Sequence, residues 1–251
     1  MTKDKIYFAS DIHLGSSAIE SPLIAEKRFV RWLDSIKENA KTLYLLGDIF
    51  DFWFEYKKVV PKGFTRFFGK IAERHDNGTE IHFFIGNHDI WMFDYFQKEV
   101  GAIVHKKPFI TEIAGKKFYL AHGDGLRDNS SSFKFLRAVF HNRICQFLFK
   151  RFVPSAWGLG LGLWWAKHNR KKKFASPTPY LGEEEEELVL FSKQYIKQHP
   201  EIDYFIFGHR HIMLDLMLNK KSRMMIIGDW MEYFSYAVFD GSNLMLEQFE
   251  E

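Results

Sequence analysis

Five short runs of hydrophobic residues recur along the chain, and each of them ends in a cluster of polar residues. The runs contain four or five residues and are bounded by Gly or polar positions, which is typical of buried β-strands. They lie at 5–9, 42–46, 81–85, 118–121 and 204–207. We therefore predict five strands, each followed directly by side chains that can do chemistry.

Helical periodicity separates the early runs. Apolar residues recur at the spacing of one helix face in two segments, namely Phe29, Leu33, Ile36 and Ala40, and then Phe67, Phe68, Ile71 and Ala72. An order of strand, helix and strand predicts an α/β sheet, in which ligands gather at the carboxyl ends of the strands. Because all five polar clusters come at such ends, we expect them to form one site.

The polar clusters offer carboxylate, amide and imidazole groups but no thiolate. The candidate metal ligands are Asp11, His13, Asp48, Asn87, His122, His209 and His211. Nitrogen and oxygen ligands of this kind suit Mn, Fe, Zn or Mg better than a thiophilic metal. Seven ligands are too many for one tetrahedral ion but suit two ions that share a carboxylate. Two ions about 3.5–4 Å apart can polarise a phosphoryl oxygen and activate water for in-line attack, so the pattern predicts phosphoester chemistry.

Composition bounds the overall class. The chain has 251 residues, of which 46% are hydrophobic and 27% charged, which excludes a disordered or fibrous protein. We expect a single domain over 1–251 with a helical insert at about 130–175. The lone Cys145 excludes a disulfide framework and a cysteine-based zinc site. The first residues lack the apolar core of a signal peptide, so a cytoplasmic location is expected.

Charge is concentrated in one segment. The net charge of +3 is too small to indicate nucleic-acid binding, but residues 134–173 contain ten Lys or Arg and no Asp or Glu, together with several Phe and Trp. The longest uncharged run, 152–166, has 15 residues, short of the roughly 20 that a spanning helix needs. An interfacial element at a membrane surface fits this composition. The alternative is a helical cap with a solvated basic face. The five glutamates at 183–187 are expected to open a helix.

The order of the polar clusters resembles the calcineurin-like metallophosphoesterases over most of the chain. The matching blocks are Asp11-x-His13, Gly47-Asp48-x-x-Asp51, Gly86-Asn87-His88-Asp89, His122 and Gly208-His209-x-His211. The resemblance implies a four-layer αββα sandwich with two facing sheets and a dinuclear centre. It also implies the ligand sets, which are Asp11, His13, Asp48 and His211 for one ion, and Asp48, Asn87, His122 and His209 for the other. Asp48 would bridge the two ions.

His88 is expected to act on the phosphate rather than on a metal, because neighbouring residues on a turn point apart and Asn87 is a ligand in this family. It would donate a proton or a hydrogen bond to the leaving oxygen, and Asp51 or Asp89 would orient its ring. These three residues are the catalytic candidates. The histidines outside the clusters are expected to be structural, with His141 and His168 left open.

The residues around Asp48 indicate which branch of this superfamily the chain resembles. Phe52 and Trp53 stand where serine/threonine phosphatases have an Arg-Gly pair that binds phosphate. The segment 47–53 instead resembles the G-D-x-F-[DE]-x-W block of UDP-2,3-diacylglucosamine hydrolases, which act in lipid A biosynthesis. A helical insert lies at the same place in that family, where it covers the acyl chains and helps to hold the enzyme at the inner membrane. His88 departs from the family, whose best-known members have Arg there.

The resemblance implies hydrolysis of UDP-2,3-diacylglucosamine to UMP and 2,3-diacylglucosamine 1-phosphate with two divalent ions, Mn²⁺ being expected. It implies a peripheral location on the cytoplasmic face of the inner membrane. We expect no nucleic acid and no stable protein partner. The candidate substrate contacts are Asn87, His88, Asp128, Arg137, His141, Arg170, Lys171 and His209. The alternatives are a broad metallophosphodiesterase or nucleotide pyrophosphatase with a docking insert, and a non-catalytic scaffold.

Overall fold

Two β-sheets form the centre of the molecule. The computed structural model describes residues 3–127, 131–175 and 179–250. The strands in these residues are β1 (Lys5–Ala9), β2 (Ala40–Leu45), β3 (Glu80–Phe84), β4 (Ile103–His105), β5 (Phe109–Ile113), β6 (Lys116–Ala121), β7 (Tyr204–Phe207), β8 (Met213–Met217), β9 (Arg223–Ile227), β10 (Ser235–Phe239) and β11 (Leu244–Gln248). All five predicted strands are present, as β1, β2, β3, β6 and β7.

Parallel pairing brings the strand ends together. The first sheet has the order β11-β10-β1-β2-β3-β4, and β1 to β4 run parallel. The second sheet has the order β5-β6-β7-β9-β8, with β6, β7 and β9 parallel. The carboxyl ends of the central strands in each sheet therefore share one edge, where ligands gather in open α/β sheets.

The helices are α1 (Pro22–Ser35), α2 (Thr65–Asp76), α3 (Ser131–His141), α4 (Arg143–Phe152), α5 (Ser155–Ala175) and α6 (Glu187–Gln198), with a short π-helical turn at Phe96–Val100. The prediction that the first helical face reaches Ala40 is wrong, because α1 ends at Ser35 and Ala40 begins β2. The Asn39 carbonyl accepts hydrogen bonds from the main-chain N–H groups of Asp4 and Lys5. These bonds tie the turn after α1 to the start of β1, so the chain leaves the helix there.

The helices and sheets stack in four layers, as predicted. One apolar cluster joins α1 and α2 to the outer face of the first sheet, a second lies between the sheets, and a third joins α6 to the outer face of the second sheet. Neighbouring residues of β1 divide between two clusters, with Tyr7 outside and Phe8 between the sheets. The Phe8 ring stacks against those of Tyr44 and Phe118, with centroids 5.2 and 6.0 Å away. Aromatic residues make up 18% of the chain, with 27 Phe, and many of them are buried in these clusters.

The basic, aromatic segment forms the three helices α3, α4 and α5. Most of its described side chains are exposed, but α5 approaches the core closely at Gly162. A Cβ atom at this position would lie 2.2 Å from the tip of the Phe52 ring, so glycine is required for the observed contact. The segment therefore rests directly on the loop that follows β2.

Helix α6 begins later in the run of glutamates than expected. Only Glu187 is in the helix, Glu186 is its N-cap residue, and the preceding three glutamates form a turn. Leu188 is buried and Phe191 and Tyr195 pack against the third core cluster, so these three residues form the apolar stripe of α6.

Candidate metal centre

The candidate ligands lie at the ends of the central strands in an unusual backbone conformation. Five of them have positive φ angles, namely Asp11 (53°), His13 (49°), Asp48 (51°), His209 (69°) and His211 (53°). Residues with a Cβ rarely adopt this left-handed region, and each instance costs about 1–3 kcal/mol. Such strain is typical of sites whose side chains must be held in fixed directions.

Asp11, His13 and His211 converge on one point. The Nε2 atoms of His13 and His211 are 3.3 Å apart, and the Oδ1 atom of Asp11 lies 3.1 Å from His211 Nε2 and 3.7 Å from His13 Nε2. Asp11 is fully buried and His13 nearly so. Three ligand atoms this close, from side chains at two different strand ends, form a group that can hold one metal ion.

Asp48 faces both this group and a second group, which consists of Asn87, His122 and His209. Its Oδ2 atom lies 3.8 Å from His13 Nε2 and 3.5 Å from His122 Nε2. The Asn87 Oδ1 atom is 3.3 Å from the same nitrogen of His122, and the His209 ring centroid is 5.1 Å from that of His122. Asp48 is thus positioned between the two groups, as a bridging ligand must be.

Two of the imidazole rings are oriented by hydrogen bonds that they donate from Nδ1, the ring nitrogen on the side away from the site. His211 Nδ1 donates to Asp229 Oδ2 at 2.9 Å, and His122 Nδ1 donates to the Leu46 carbonyl at 2.9 Å. In the neutral rings these bonds leave the Nε2 lone pairs directed into the site, the arrangement that metal-binding histidines adopt.

Sequence reasoning missed Asp229. It follows β9 in the segment Gly228-Asp229-Trp230, so the same signal of a polar residue after a buried strand was available. Its other carboxylate oxygen, Oδ1, accepts hydrogen bonds from the main-chain N–H groups of Met231, Glu232 and Tyr233, which hold the carboxylate in place.

Asp89 clamps the Asp48 loop. Its carboxylate accepts main-chain hydrogen bonds from Ile49 at 2.8 Å, Gly86 at 2.7 Å and Asp48 at 3.3 Å. Burial and the charge of Asp48 raise the pKa of Asp89 to about 7. Gly86 also permits close packing here, because a Cβ atom on it would lie 2.2 Å from Asp48 Oδ1. Among the described residues, the hydrogen bonds of Asp89 are to the backbone of the ligand loops rather than to the His88 ring.

The His88 ring is oriented by the main chain of Asp51. Its Nδ1 atom donates to the Asp51 carbonyl at 2.8 Å, while the His88 N–H donates to Asp48 Oδ1 at 2.9 Å. The Asp51 carboxylate lies instead near His13, with Oδ1 3.9 Å from Nδ1. Ligand atoms of His13, Asp51 and His88 also lie within 4.8 Å of one another.

The buried charges of the site suit divalent cations. Burial alone would raise the pKa of Asp11 and Asp48, but neighbouring imidazoles, His211 and His122 respectively, bring it well below the usual range. Burial opposes protonation of His122, yet the Asp48 charge raises its pKa to about 10. The carboxylates therefore require positive charge beside them, and oxygen and imidazole ligands fit a pair of hard or borderline divalent ions.

An apolar cavity of about 420 Å³ opens beside these groups. Its lining residues are Phe52, Trp53, Asn87, His88, Ile90, Trp91, Asp124, Arg137, Phe140, Gly162, Trp165 and Ala166. Asn87 and His88 join it to the metal ligands, and α3 and α5 supply the opposite wall. Most of the lining is aromatic or aliphatic, which suits a hydrocarbon ligand.

The structure brings some predicted substrate contacts to this region and leaves others untested. Arg137 lines the cavity, and its Nη1 atom donates to the Asp124 carbonyl at 2.8 Å. His141 lines a small neighbouring cleft together with His122, and its Nε2 atom is buried without a hydrogen-bond partner among the described residues. Asp128 and the side chains of Arg170 and Lys171 lie outside the described residues.

The chain is similar to known proteins in sequence and in structure. Residues 4–213 match the calcineurin-like phosphoesterase family model. The chain is 44% identical to a UDP-2,3-diacylglucosamine hydrolase of Porphyromonas gingivalis over 99% of both chains, and 25% identical to one of Neisseria meningitidis over 98% of both. A solved phosphoesterase from E. coli is 15% identical with a TM-score of 0.43, covering 96% of this chain and 90% of that one. In the described part of the chain, no helix has the length and hydropathy needed to span a membrane.

Proposed function

The chain belongs to the calcineurin-like phosphoesterase family, and we propose that it hydrolyses the pyrophosphate of UDP-2,3-diacylglucosamine to UMP and 2,3-diacylglucosamine 1-phosphate. The observation that carries this proposal is the apolar cavity of about 420 Å³ that begins at Asn87 and His88. A phosphatase for soluble esters needs no such cavity next to its metal ligands. The relative from P. gingivalis, 44% identical over the whole chain, supports the same substrate.

Two divalent ions would be held by the two groups of ligands that share Asp48. Asp11, His13, Asp48 and His211 would hold one ion, and Asp48, Asn87, His122 and His209 the other. When bound, the ions supply Lewis-acid polarisation of the phosphate and activation of water. We propose Mn²⁺ for both positions. Asp229 contributes by holding the His211 ring, since its carboxylate accepts a hydrogen bond from the Nδ1–H group, with Nδ1 and Oδ2 2.9 Å apart.

His88 would act on the phosphate that leaves. The Asp51 carbonyl fixes its Nδ1–H group, so the Nε2 edge of the ring is the one available to a substrate. In the protonated ring this nitrogen donates a hydrogen bond to an oxygen of the departing sugar phosphate, which lowers the charge that develops there. Asp89 supports the same turn through the main chain of Gly86.

The cavity would receive the acyl chains. Trp91, Phe140 and Trp165 give it apolar walls, while Arg137 lies at the side where the cavity meets Asp124. A substrate with its pyrophosphate at the metal ligands would thus place its hydrocarbon beneath α5 and its phosphates near Arg137. Burial of hydrocarbon at about 25 cal/mol per Å² accounts for a preference for acylated substrates.

We further propose that the outer face of α4 and α5 contacts the cytoplasmic surface of the inner membrane. Phe152, Trp157 and Trp164 are 70%, 75% and 63% exposed, and basic residues flank them. Apolar insertion combined with attraction to anionic lipids gives stable peripheral binding. Replacement of the three aromatic residues by Ser is expected to abolish flotation with phosphatidylglycerol/phosphatidylethanolamine vesicles. Met217→Ser, at an exposed position of β8, is the control, and equal flotation of both variants would contradict the proposal.

A comparison of kcat/KM values for several substrates tests the proposed reaction against its alternatives. We expect the purified protein with Mn²⁺ to have a kcat/KM for UDP-2,3-diacylglucosamine at least 100-fold above that for bis(p-nitrophenyl) phosphate or UDP-glucose. Equal or greater activity on the soluble compounds would instead identify a broad phosphodiesterase or nucleotide pyrophosphatase. No activity on any of them would favour a scaffold.

A further inference from the structure

Arg210 lies between two predicted metal ligands, His209 and His211. From this position in the sequence, an arginine would be expected to bind a phosphate at the metal centre. Its guanidinium points elsewhere. Nε donates to Glu186 Oε1 at 2.6 Å and Nη2 donates to Glu186 Oε2 at 2.8 Å, while Nη2 also lies 3.5 Å from the Pro179 carbonyl. A bidentate bond of this kind occupies the face of the arginine that would otherwise bind a phosphate.

Glu186 differs from the other glutamates of its run. It is fully buried, whereas the other four at positions 183 to 187 are exposed. Glu186 is also the N-cap residue of α6, yet its carboxylate makes no capping hydrogen bond to the helix. A buried carboxylate is tolerated only beside a partner that neutralises it, and Arg210 is that partner.

The loop that carries Arg210 is held in a strained conformation. His209 and His211 have φ angles of 69° and 53°, and the Arg210 N–H donates to the Gly208 carbonyl at 2.8 Å. Such a backbone persists only when its surroundings fix it. Glu186 is suited to this because the first turn of α6, which follows it directly, is anchored in the core, where Leu188 packs in one cluster with Phe207.

We infer that the Arg210–Glu186 ion pair is a positioning device for the metal centre, which sets the directions of the His209 and His211 side chains by tying their loop to the start of α6. The inference rests on the metal centre proposed above. It assigns Arg210 no contact with substrate. It also gives the acidic run a function at one position only, Glu186.

Titration with Mn²⁺ alone tests this role. Glu186→Gln removes the charge of the carboxylate, and Arg210→Lys keeps the positive charge but loses the bidentate geometry. We expect both variants to bind Mn²⁺ at least tenfold more weakly by isothermal titration calorimetry, the loss typical of residues that support metal ligands. Glu184→Gln, an exposed change in the same run, is expected to stay within twofold of the wild type.

Steady-state kinetics separates positioning from substrate binding. At saturating Mn²⁺ we expect both variants to recover most of the wild-type kcat with an unchanged KM. A raised KM that Mn²⁺ does not correct would make Arg210 a substrate contact and overturn the inference.

Thermal unfolding of the chelated proteins completes the test. Wild-type Mn²⁺ affinity in the folded variants, with only a lower melting temperature, would reduce the pair to a structural role and also overturn the inference. If one variant does not fold, the Mn²⁺ affinity of the other decides. A wild-type protein that binds Mn²⁺ but does not cleave the acylated substrate would refute the proposed function and leave this inference standing.

Discussion

The contact between α5 and Phe52 leads to a specific prediction about the cavity. A Cβ atom at Gly162 would lie 2.2 Å from the Phe52 ring, whereas a Cβ atom at Gly160, two residues away on the same helix, would meet no atom from another part of the described chain within 4 Å. Alanine at either position gains about 0.5–1 kcal/mol of helix propensity. Only at 162 does the added methyl group force the ring or the helix to move.

The cost of that movement can be estimated. Overpacking by a methyl group costs about 1–3 kcal/mol, and Phe52 and Gly162 both line the cavity. If the binding of the acyl chains has to overcome this cost, the affinity of the protein for the acylated substrate falls by a factor of roughly 5 to 150. We therefore expect Gly162→Ala to raise the KM for UDP-2,3-diacylglucosamine at least fivefold, and Gly160→Ala to leave it within twofold.

Steady-state hydrolysis, measured by release of UMP, provides the assay. The rate on bis(p-nitrophenyl) phosphate serves as the reference, since this compound does not need the space beneath α5 and should be cleaved equally by both variants. Equal KM values for the acylated substrate in the two variants would refute the assignment of the cavity. A parallel loss on both substrates would mean that the contact supports folding rather than acyl binding.

Three further predictions address the metal ligands and the fold. Asp48→Ala is expected to reduce bound Mn²⁺, measured by elemental analysis after gel filtration, to less than half of the wild-type content and to abolish turnover. Asp229→Asn leaves His211 without its anionic partner and should weaken Mn²⁺ binding by about 10- to 100-fold in a calorimetric titration. Burial lowers the pKa of both His82 and His105 to about 4, below the value of about 6.5 in the unfolded chain. Because the unfolded chain then binds more protons at these two positions, their contribution to stability is complete above about pH 6.5 and is lost as the pH falls towards 4. Urea unfolding should show a loss of stability between pH 7 and 5, and this loss should be smaller by about 1–2 kcal/mol in His82→Phe, in which His105 still titrates.

The positions of the candidate ligands could be predicted from sequence because the signal is local. A buried strand such as β1 or β7 is recognisable from four or five residues, and the polar cluster follows it at once. Parallel pairing then brings the clusters together whatever lies between them. The end of α1 was misjudged because Ala40 keeps the helical spacing, while the turn that ends the helix depends on hydrogen bonds to the distant residues Asp4 and Lys5.

Residues that act through tertiary contacts could not be identified in this way. Glu186 and Arg210 lie 24 positions apart, and nothing in the run of glutamates distinguishes the one that becomes buried. Gly162 likewise stands in the uncharged run 152–166, from which only an interfacial element or a helical cap was predicted, and its need for glycine arises from the Phe52 ring beneath it. Packing of this kind depends on the whole fold rather than on a local pattern.

Hydrolysis of UDP-2,3-diacylglucosamine in ¹⁸O-labelled water, followed by mass spectrometry, tests the central claim most directly. Attack on the phosphorus of the uridylyl half transfers one oxygen of water to it, while the bridging oxygen leaves with the sugar phosphate. We predict UMP that carries one ¹⁸O atom and unlabelled 2,3-diacylglucosamine 1-phosphate, both absent after chelation. Label in the sugar phosphate, product formation that survives chelation, or no products at all would contradict the account.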